Sequence, residues 1–268
     1  MRLLVSNDDG IDSPFFHALV HALRDAGHAL CVVAPKHEQS WTGAGKSRHR
    51  AVKSEAVERG FGCPSWTVDG TPADCVNIAL AHLLPRSEGK TTPDVEAVVS
   101  GINLGRNAAL GFILASGTIA AAWEGAIHGL PSIAFSQELD AKAFGRLKRG
   151  EPMDAELRET LAASAAHAAR LTEALLAPQT KTPAPFVVHN VNFPHPCRAD
   201  TPVRRTIPAQ VRTPGLFSPA ADDGTHRFVY ADAVDVSPPG QLTDKAALAA
   251  GVISHSVLDY TRLGVAEE

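Results

Sequence analysis

The sequence predicts an α/β fold organised on a mostly parallel sheet. Three observations carry that expectation. The chain begins strand–helix–strand: Leu3 to Val5 is a short apolar run, Phe16, Leu19, Val20 and Leu23 repeat at i, i+3, i+4, i+7, and Ala29 to Ala34 is a second apolar run. A β-α-β order implies a right-handed crossover between parallel strands. The same alternation of short apolar runs with helical patterns continues to about residue 190. Finally, polar loops containing Gly follow these runs, where open α/β sheets bind ligands.

The first strand is expected to stop at Asn7, followed at once by Asp8 and Asp9, with Gly10 allowing a tight turn. Ser13 reads as an N-cap and Pro14 as the first helical residue. That helix should run from about Pro14 to Ala26, ending at Gly27. Pro35 closes the second strand, and a polar loop follows, Lys36 to Arg50. Val68 to Asp74 ends a strand and starts a helix, with Thr71 as N-cap, Pro72 in first position and Asp74 in the first turn. Asp69 and Asp74 are read first as capping groups near the sheet end. Val76, Ala79, Leu80 and Leu83 supply the apolar face of that helix.

Val95 to Val99 is the next strand, leading into the loop Ser100-Gly101-Ile102-Asn103-Leu104-Gly105-Arg106-Asn107. Ser116-Gly117-Thr118 opens a helix whose inner face is Ile119, Ala122, Trp123 and Ala126, closed by Gly129 and Pro131. Ser132 to Phe135 is a strand, Glu151 to Leu176 a long helix, and Phe186 to His189 a strand ending in Asn190-Val191-Asn192-Phe193-Pro194. After Pro194 the helical periodicity disappears until about Asp244. Short β-like pieces, Val203 to Ile207 and Arg227 to Tyr230, read as an excursion or arm, and Asp244 to Ala250 as a short helix.

Composition narrows the function. At 268 residues and 44% hydrophobic, the chain has material for a large single domain or a core with an appendage. A formal net charge of −4 provides no global basic field for nucleic acid or membrane. There is no apolar run of ~18 residues, and the start shows no signal-peptide pattern. The four cysteines have no CxxC spacing, so zinc or a disulfide framework is not expected and a reducing cytoplasm is the default.

The best constellation joins the strand-end loops: Asp8 and Asp9 from the first, Ser40 from the second, Asn103 from the third, and Ser116-Gly117-Thr118 at a helix start. Adjacent carboxylates repel unless a cation holds them. Oxygen donors from carboxylate, hydroxyl and amide suit magnesium, manganese or calcium. A helix N-terminus with small residues offers N–H groups to phosphate. Together they point to metal-assisted phosphoester hydrolysis. Each piece also has a plainer role alone: a turn and cap at Asp8-Asp9-Gly10, capping by Ser116, a left-handed turn at Asn103.

Two motifs are rejected. Gly43-Ala44-Gly45-Lys46-Ser47 resembles the end of a P-loop, but the position five before its second Gly is Ser40. Phosphatases with an aspartate nucleophile need their acids two residues apart, and Asp8 and Asp9 are adjacent. His17 and His21 stand at i, i+4 without a third ligand on that helix.

The combination resembles the SurE survival-protein family of metal-dependent nucleotidases. It rests on Ser6-Asn7-Asp8-Asp9-Gly10, Ala34-Pro35 with Ser40-Trp41-Thr42-Gly43, Val68 to Asp74, Ser100-Gly101-Ile102-Asn103, Ser116-Gly117-Thr118 with Glu124-Gly125, and Asn190 to Pro194, in the family's order. The resemblance implies a Rossmann-like core over residues 1–194 with helices on both faces of the sheet. It also implies a C-terminal arm over 195–268 used in homodimer or homotetramer contacts. It implies hydrolysis of nucleoside 5′- and 3′-monophosphates and other small phosphomonoesters, with one magnesium or manganese ion per subunit. The partners would be those substrates, not a nucleic-acid duplex or a membrane. By the family's pattern the metal ligands map to Asp8, Asp9, Ser40 and Asn103, and the phosphate contacts to Asn107, Ser116, Gly117 and Thr118. In the expected mechanism the metal polarises a phosphate oxygen and activates a water, with Asp8 or Asp9 handling its proton. The chain departs from the family between Asn107 and Ser116. There an acidic residue and often a Tyr give way to the apolar run Ala108 to Ala115, one residue longer. The segment Gly251 to Leu258 also departs from the family's final strand. The rival expectation is a metal-dependent nucleotide- or phosphate-binding protein without catalysis, and a weaker third is a P-loop NTPase.

Overall fold

The computed structural model describes residues 1–86, 93–176, 186–229 and 233–264. The apolar run at the N-terminus forms β1 (Arg2–Ser6), and α1 (Pro14–Asp25) and β2 (Ala29–Pro35) complete the first β-α-β unit. The hairpin of β3 (Ser54–Ala56) and β4 (Ser65–Val68) leads into α2 (Pro72–Ile78), which is prolonged by a π-turn over Ala79–Leu83. Then come β5 (Ala97–Leu104), α3 (Leu110–Ala115), α4 (Gly117–Ile127) and β6 (Ser132–Gln137). Next are α5 (Ala141–Lys148), α6 (Ala155–Leu176) and β7 (Val187–Phe193). The remainder holds β8 (Val203–Thr206), β9 (Val211–Arg212), β10 (Val234–Asp235), α7 (Asp244–Ala249) and β11 (Ile253–Asp259).

The main sheet has the order β3-β4-β2-β1-β5-β6-β7-β11-β8. From β4 to β7 all pairings are parallel, and β3 and β11 enter antiparallel. The chain thus winds outward from β1 in one direction through β2 and β4, and in the other through β5, β6 and β7. The order reverses between β1 and β5, the crevice where doubly wound sheets hold ligands.

Alternation along the strands sends side chains to both faces. Leu3, Val5, Ala97 and Val99 pack with α1 and α6 through Phe15, Phe16, Leu19, Leu161 and Ala165. Leu4 and Val98 pack on the opposite face with Val76 and Ala121 of α2 and α4. Each fully buried Phe or Leu contributes about 1.5–3 kcal/mol. Gly125 permits the close seat of α4: a Cβ there would lie 2.5 Å from Val98. Helices therefore cover both faces, as expected.

Several elements differ from the sequence reading. β5 does not stop at Val99 but continues through Asn103 to Leu104, with a register shift against β6 between Ser100 and Asn103. Gly101 makes that irregularity possible, since a Cβ there would meet the Phe135 carbonyl at 2.2 Å. The apolar run Ala108–Ala115, given no element from its sequence, contains the short helix α3. The long helix starts at Ala155, where Asp154 accepts the Leu157 N–H, and α5 precedes it. Val203–Thr206 belongs to the main sheet beside β11, and β11 itself forms despite its departure from the family's pattern. Phe228 bridges Phe217 in the expected 227–230 piece, but Tyr230 lies outside the described residues. No helix among the described residues is long and apolar enough to cross a membrane.

Candidate metal and phosphate site at the sheet's switch point

The site begins where β1 ends. Asn7 folds the turn by donating its Nδ2 to the Gly10 carbonyl at 2.8 Å, and Gly10 takes φ +89. Asp8 is buried, and Thr118 donates its Oγ1 to Asp8 Oδ1 at 2.5 Å. Asp9 accepts the Leu104 N–H through Oδ2 at 2.8 Å. The two carboxylates thus face the neighbouring structure on different anchors, one on α4 and one on β5. Ser116 caps α4 by accepting the Ile119 N–H at 3.1 Å. Gly117 is there for closeness: an added Cβ would come within 2.8 Å of Asp8 Cβ.

Burial holds the Asp8 carboxyl above the usual carboxylate range, opposed mainly by the hydrogen bond from Thr118. Burial and then the charge of Asp8 push Asp9 higher still, with Glu38 adding to both. Among the described residues no Lys, Arg or His pairs with either acid. A buried carboxylate next to a half-buried one, without a cationic side chain, is what a hard cation would relieve. Nearby, Asn7 Oδ1 and the Ser6 and Ser100 hydroxyls are buried without hydrogen-bond partners.

The other expected ligands are placed as follows. Asn103 is buried and donates Nδ2 to the Gly105 carbonyl at 2.7 Å, so its Oδ1 is the end free to accept. Ser40 lies exposed on the loop after β2, its N–H donated to Glu38 at 2.8 Å. That loop is tied to the acids one residue earlier, where the Gln39 N–H donates to the Asp8 carbonyl at 2.8 Å. No group of three or more His, Cys, Asp or Glu side chains clusters among the described residues. Two carboxylates with the Asn103 amide oxygen are instead an all-oxygen set of donors, which suits a hard divalent cation.

Asn107 sits in a buried amide network. It donates Nδ2 to Ser136 Oγ at 2.9 Å, its N–H goes to Asn192 Oδ1 at 2.8 Å, and its carbonyl accepts from Asn190 and Asn192. One Nδ2 proton remains available. Beyond it, Ala109 takes φ +73, and its N–H is held by Asp244 Oδ2 at 2.8 Å.

Glu38 and Asp244 were given no site role by sequence reasoning, and Asn190 and Asn192 were taken only as part of the stretch that carries the family resemblance. The period-2 pair Asn190 and Asn192 at a strand end was the available signal. Asp244 gave none, because after Thr243 it reads as an ordinary helix start. Asp74 does complete its capping box with Thr71, and it also accepts the Ser47 N–H at 3.1 Å, so it steadies the loop after β2. Asp69 pairs with Arg50 at the surface. Lys46 of the P-loop-like segment forms an ion pair with Glu124, which is buried.

Comparison with known proteins gives a consistent picture. The family model "Survival protein SurE" matches residues 3–213. A protein named 5′-nucleotidase SurE from Desulforudis audaxviator is 44% identical over 172 residues, 61% of this chain and 63% of the relative. One from Nostoc sp., with the same name, is 49% identical over 139 residues, 51% of this chain and 49% of the relative. The matched stretch thus spans between about half and under two thirds of those relatives' length. The crystal structure of the SurE protein from Aquifex aeolicus superposes with a TM-score of 0.69 at 26% identity, covering 97% of this chain and 93% of that one.

Proposed function

Because this chain belongs to the survival protein SurE family, we propose that it is a divalent-metal-dependent phosphomonoesterase acting on nucleoside 5′- and 3′-monophosphates. The observation that carries the reading is the adjacent pair of Asp8, which is buried, and Asp9, which is half-buried, at the β1/β5 switch point beside the N-terminus of α4, with no cationic side chain paired to either among the described residues. The relatives' name, 5′-nucleotidase SurE, supports the substrate class.

Asp8 and Asp9, with Asn103 Oδ1 and Ser40, would hold one magnesium or manganese ion per subunit. When bound, such an ion polarises a phosphate oxygen and lowers the pKa of a coordinated water. The chain's own groups do the rest. Thr118 fixes the Asp8 rotamer through its hydroxyl, and Leu104 fixes Asp9 through its N–H. The first N–H groups of α4, at Gly117 and Thr118, and the Ser116 hydroxyl attract the phosphoryl oxygens. The remaining Asn107 amide proton donates to the same oxygens. No side-chain nucleophile is needed. We assign residues 195–268 to assembly of a homodimer or homotetramer.

The test is phosphate release from adenosine 5′-monophosphate, with EDTA and with added manganese or magnesium, for wild type and Asp9→Asn. Metal-dependent release lost in the variant supports the reading. A folded wild type that binds the nucleotide by calorimetry but releases no phosphate would replace it with the binding-protein alternative.

A further inference from the structure

Four aromatic rings stand at the surface beside this site. Trp41 packs edge-on against Phe112 (ring centroids 5.7 Å apart) and Phe228 (5.0 Å), and Phe228 packs against Phe217 (5.9 Å). They come from three separate segments: the loop after β2, helix α3, and the 217–228 piece of the arm. Although they touch, Trp41 is 45% exposed, Phe228 48% and Phe217 64%. A contiguous exposed aromatic cluster marks a binding surface more often than a core.

Its position identifies the occupant. Trp41 is two residues past Gln39, whose N–H touches the Asp8 carbonyl, so Trp41 Cα is at most about 7.6 Å from Gln39 Cα. Phe112 is on α3, which runs directly into Ser116 and the Gly117 that abuts Asp8. The two segments are joined, the Gly43 N–H donating to the Ala115 carbonyl at 3.0 Å. Both walls of the cluster therefore start from residues at the acid pair. Trp41 is held at φ +64, a conformation rare for a bulky residue, with its ring in contact with both Phe112 and Phe228. A substrate whose phosphate lies at α4 and whose far end is a flat π-system would span from one to the other.

We propose that Trp41, Phe112 and Phe228 form a stacking platform for the nucleobase, selecting nucleotides over base-free phosphomonoesters, and purines over pyrimidines. This rests on the nucleotidase reading for the phosphate end. Stacking uses the ring face, which every base has, so the platform grades substrates by π-area instead of by hydrogen-bond pattern. The run Ala108 to Ala115, where the chain departs from the family's pattern, supplies one of the rings.

Two measurements test it. The first is the ratio of kcat/KM for adenosine 5′-monophosphate to that for ribose 5-phosphate, in wild type, Trp41→Leu and Phe228→Ala. The ratio is expected to fall roughly five- to tenfold or more in each variant. The second needs no turnover: adenosine titrated in EDTA should quench tryptophan fluorescence saturably, and Trp41→Leu should abolish the quenching while Trp66 and Trp123 remain as emitters. Phosphate release with an unmoved ratio in both variants and no quenching would overturn the platform and leave the nucleotidase intact. Quenching lost in Trp41→Leu, in a protein that hydrolyses no phosphomonoester, would keep the platform and sink the nucleotidase.

Discussion

Asp8 and Asp9 reach the site from the end of one strand, within ten residues that also contain their turn, while the amide side of the mouth is assembled from far along the chain. Asn107 is fixed by Asn190 and Asn192, more than eighty positions away, and Ala109 by Asp244, 135 positions away. On the acid side, local sequence sets the backbone and distant residues add anchors such as Thr118. On the amide side, distant residues set the backbone itself. Damage should therefore differ in kind: substitution of the acids should remove chemistry without harming the fold, and substitution of the amide side's supports should harm both.

The largest effect is expected at the acids. Asp9→Asn should lower kcat for phosphate release by orders of magnitude. In EDTA the same variant should melt no lower than wild type, because it removes a carboxyl whose ionisation burial and Asp8 oppose, while the amide oxygen can still accept the Leu104 N–H. A large drop in melting temperature would mean that Asp9 is chiefly structural, and the contrast between the two sides would fail.

On the amide side, Asp244→Ala strips the acceptor from the buried N–H groups of Ala109 and Ala209, bound at 2.8 and 2.9 Å. An unsatisfied buried donor costs about 1–3 kcal/mol, and each kcal/mol moves the melting temperature of a chain this size by about 2–4 °C. We expect a loss of several degrees together with a raised KM, since α3 and Ser116 follow directly from Ala109. A raised KM with an unchanged melting temperature would place Asp244 on the acid side's pattern.

The same contrast explains what the sequence made legible. The β-α-β start, the capping box of Thr71 and Asp74 and the acid pair depend on neighbours within a few residues, so periodicity and cap chemistry reach them. The continuation of β5 through Asn103 depends on Gly101 meeting the Phe135 carbonyl, a contact no local pattern encodes. Asp244 was hidden for a related reason. Its side chain serves a segment more than a hundred residues earlier, while its local context says only helix start. Thr118 was expected on the phosphate; its hydroxyl points to Asp8, a partner that becomes adjacent only when α4 seats against β1.

The C-terminal seam sharpens the contrast through pH. His189 of β7 and His255 of β11 are 3.0 Å apart, and burial, with Arg205 alongside, pushes both pKa values down to about 4. In the folded state they stay neutral, while in the unfolded chain they protonate below about 6.5. Their stability contribution is thus full above pH 6.5 and lost progressively as pH falls toward 4. Denaturant melts across this range should show the loss, and His255→Gln should flatten it. An unflattened profile would assign the acid sensitivity to other groups.

The smallest effect marks where the border between the two patterns runs. The loop carrying Ser40 and Trp41 is close to Asp8 in sequence, yet Lys46 anchors it to Glu124 on α4, 78 positions away. Glu124 is buried and also accepts from Asn77 at 2.8 Å, so it keeps one partner when the lysine goes. Lys46 is nearly half exposed, which weakens the pair by solvent screening. Lys46→Ala should therefore cost only about 1 kcal/mol and raise KM modestly by loosening the loop, with nucleotide binding retained. Loss of nucleotide binding altogether would instead revive the P-loop reading of Gly43 to Ser47. Unchanged KM and stability would mean that the loop is held from its Asp8 end alone, and would move it wholly to the locally encoded side.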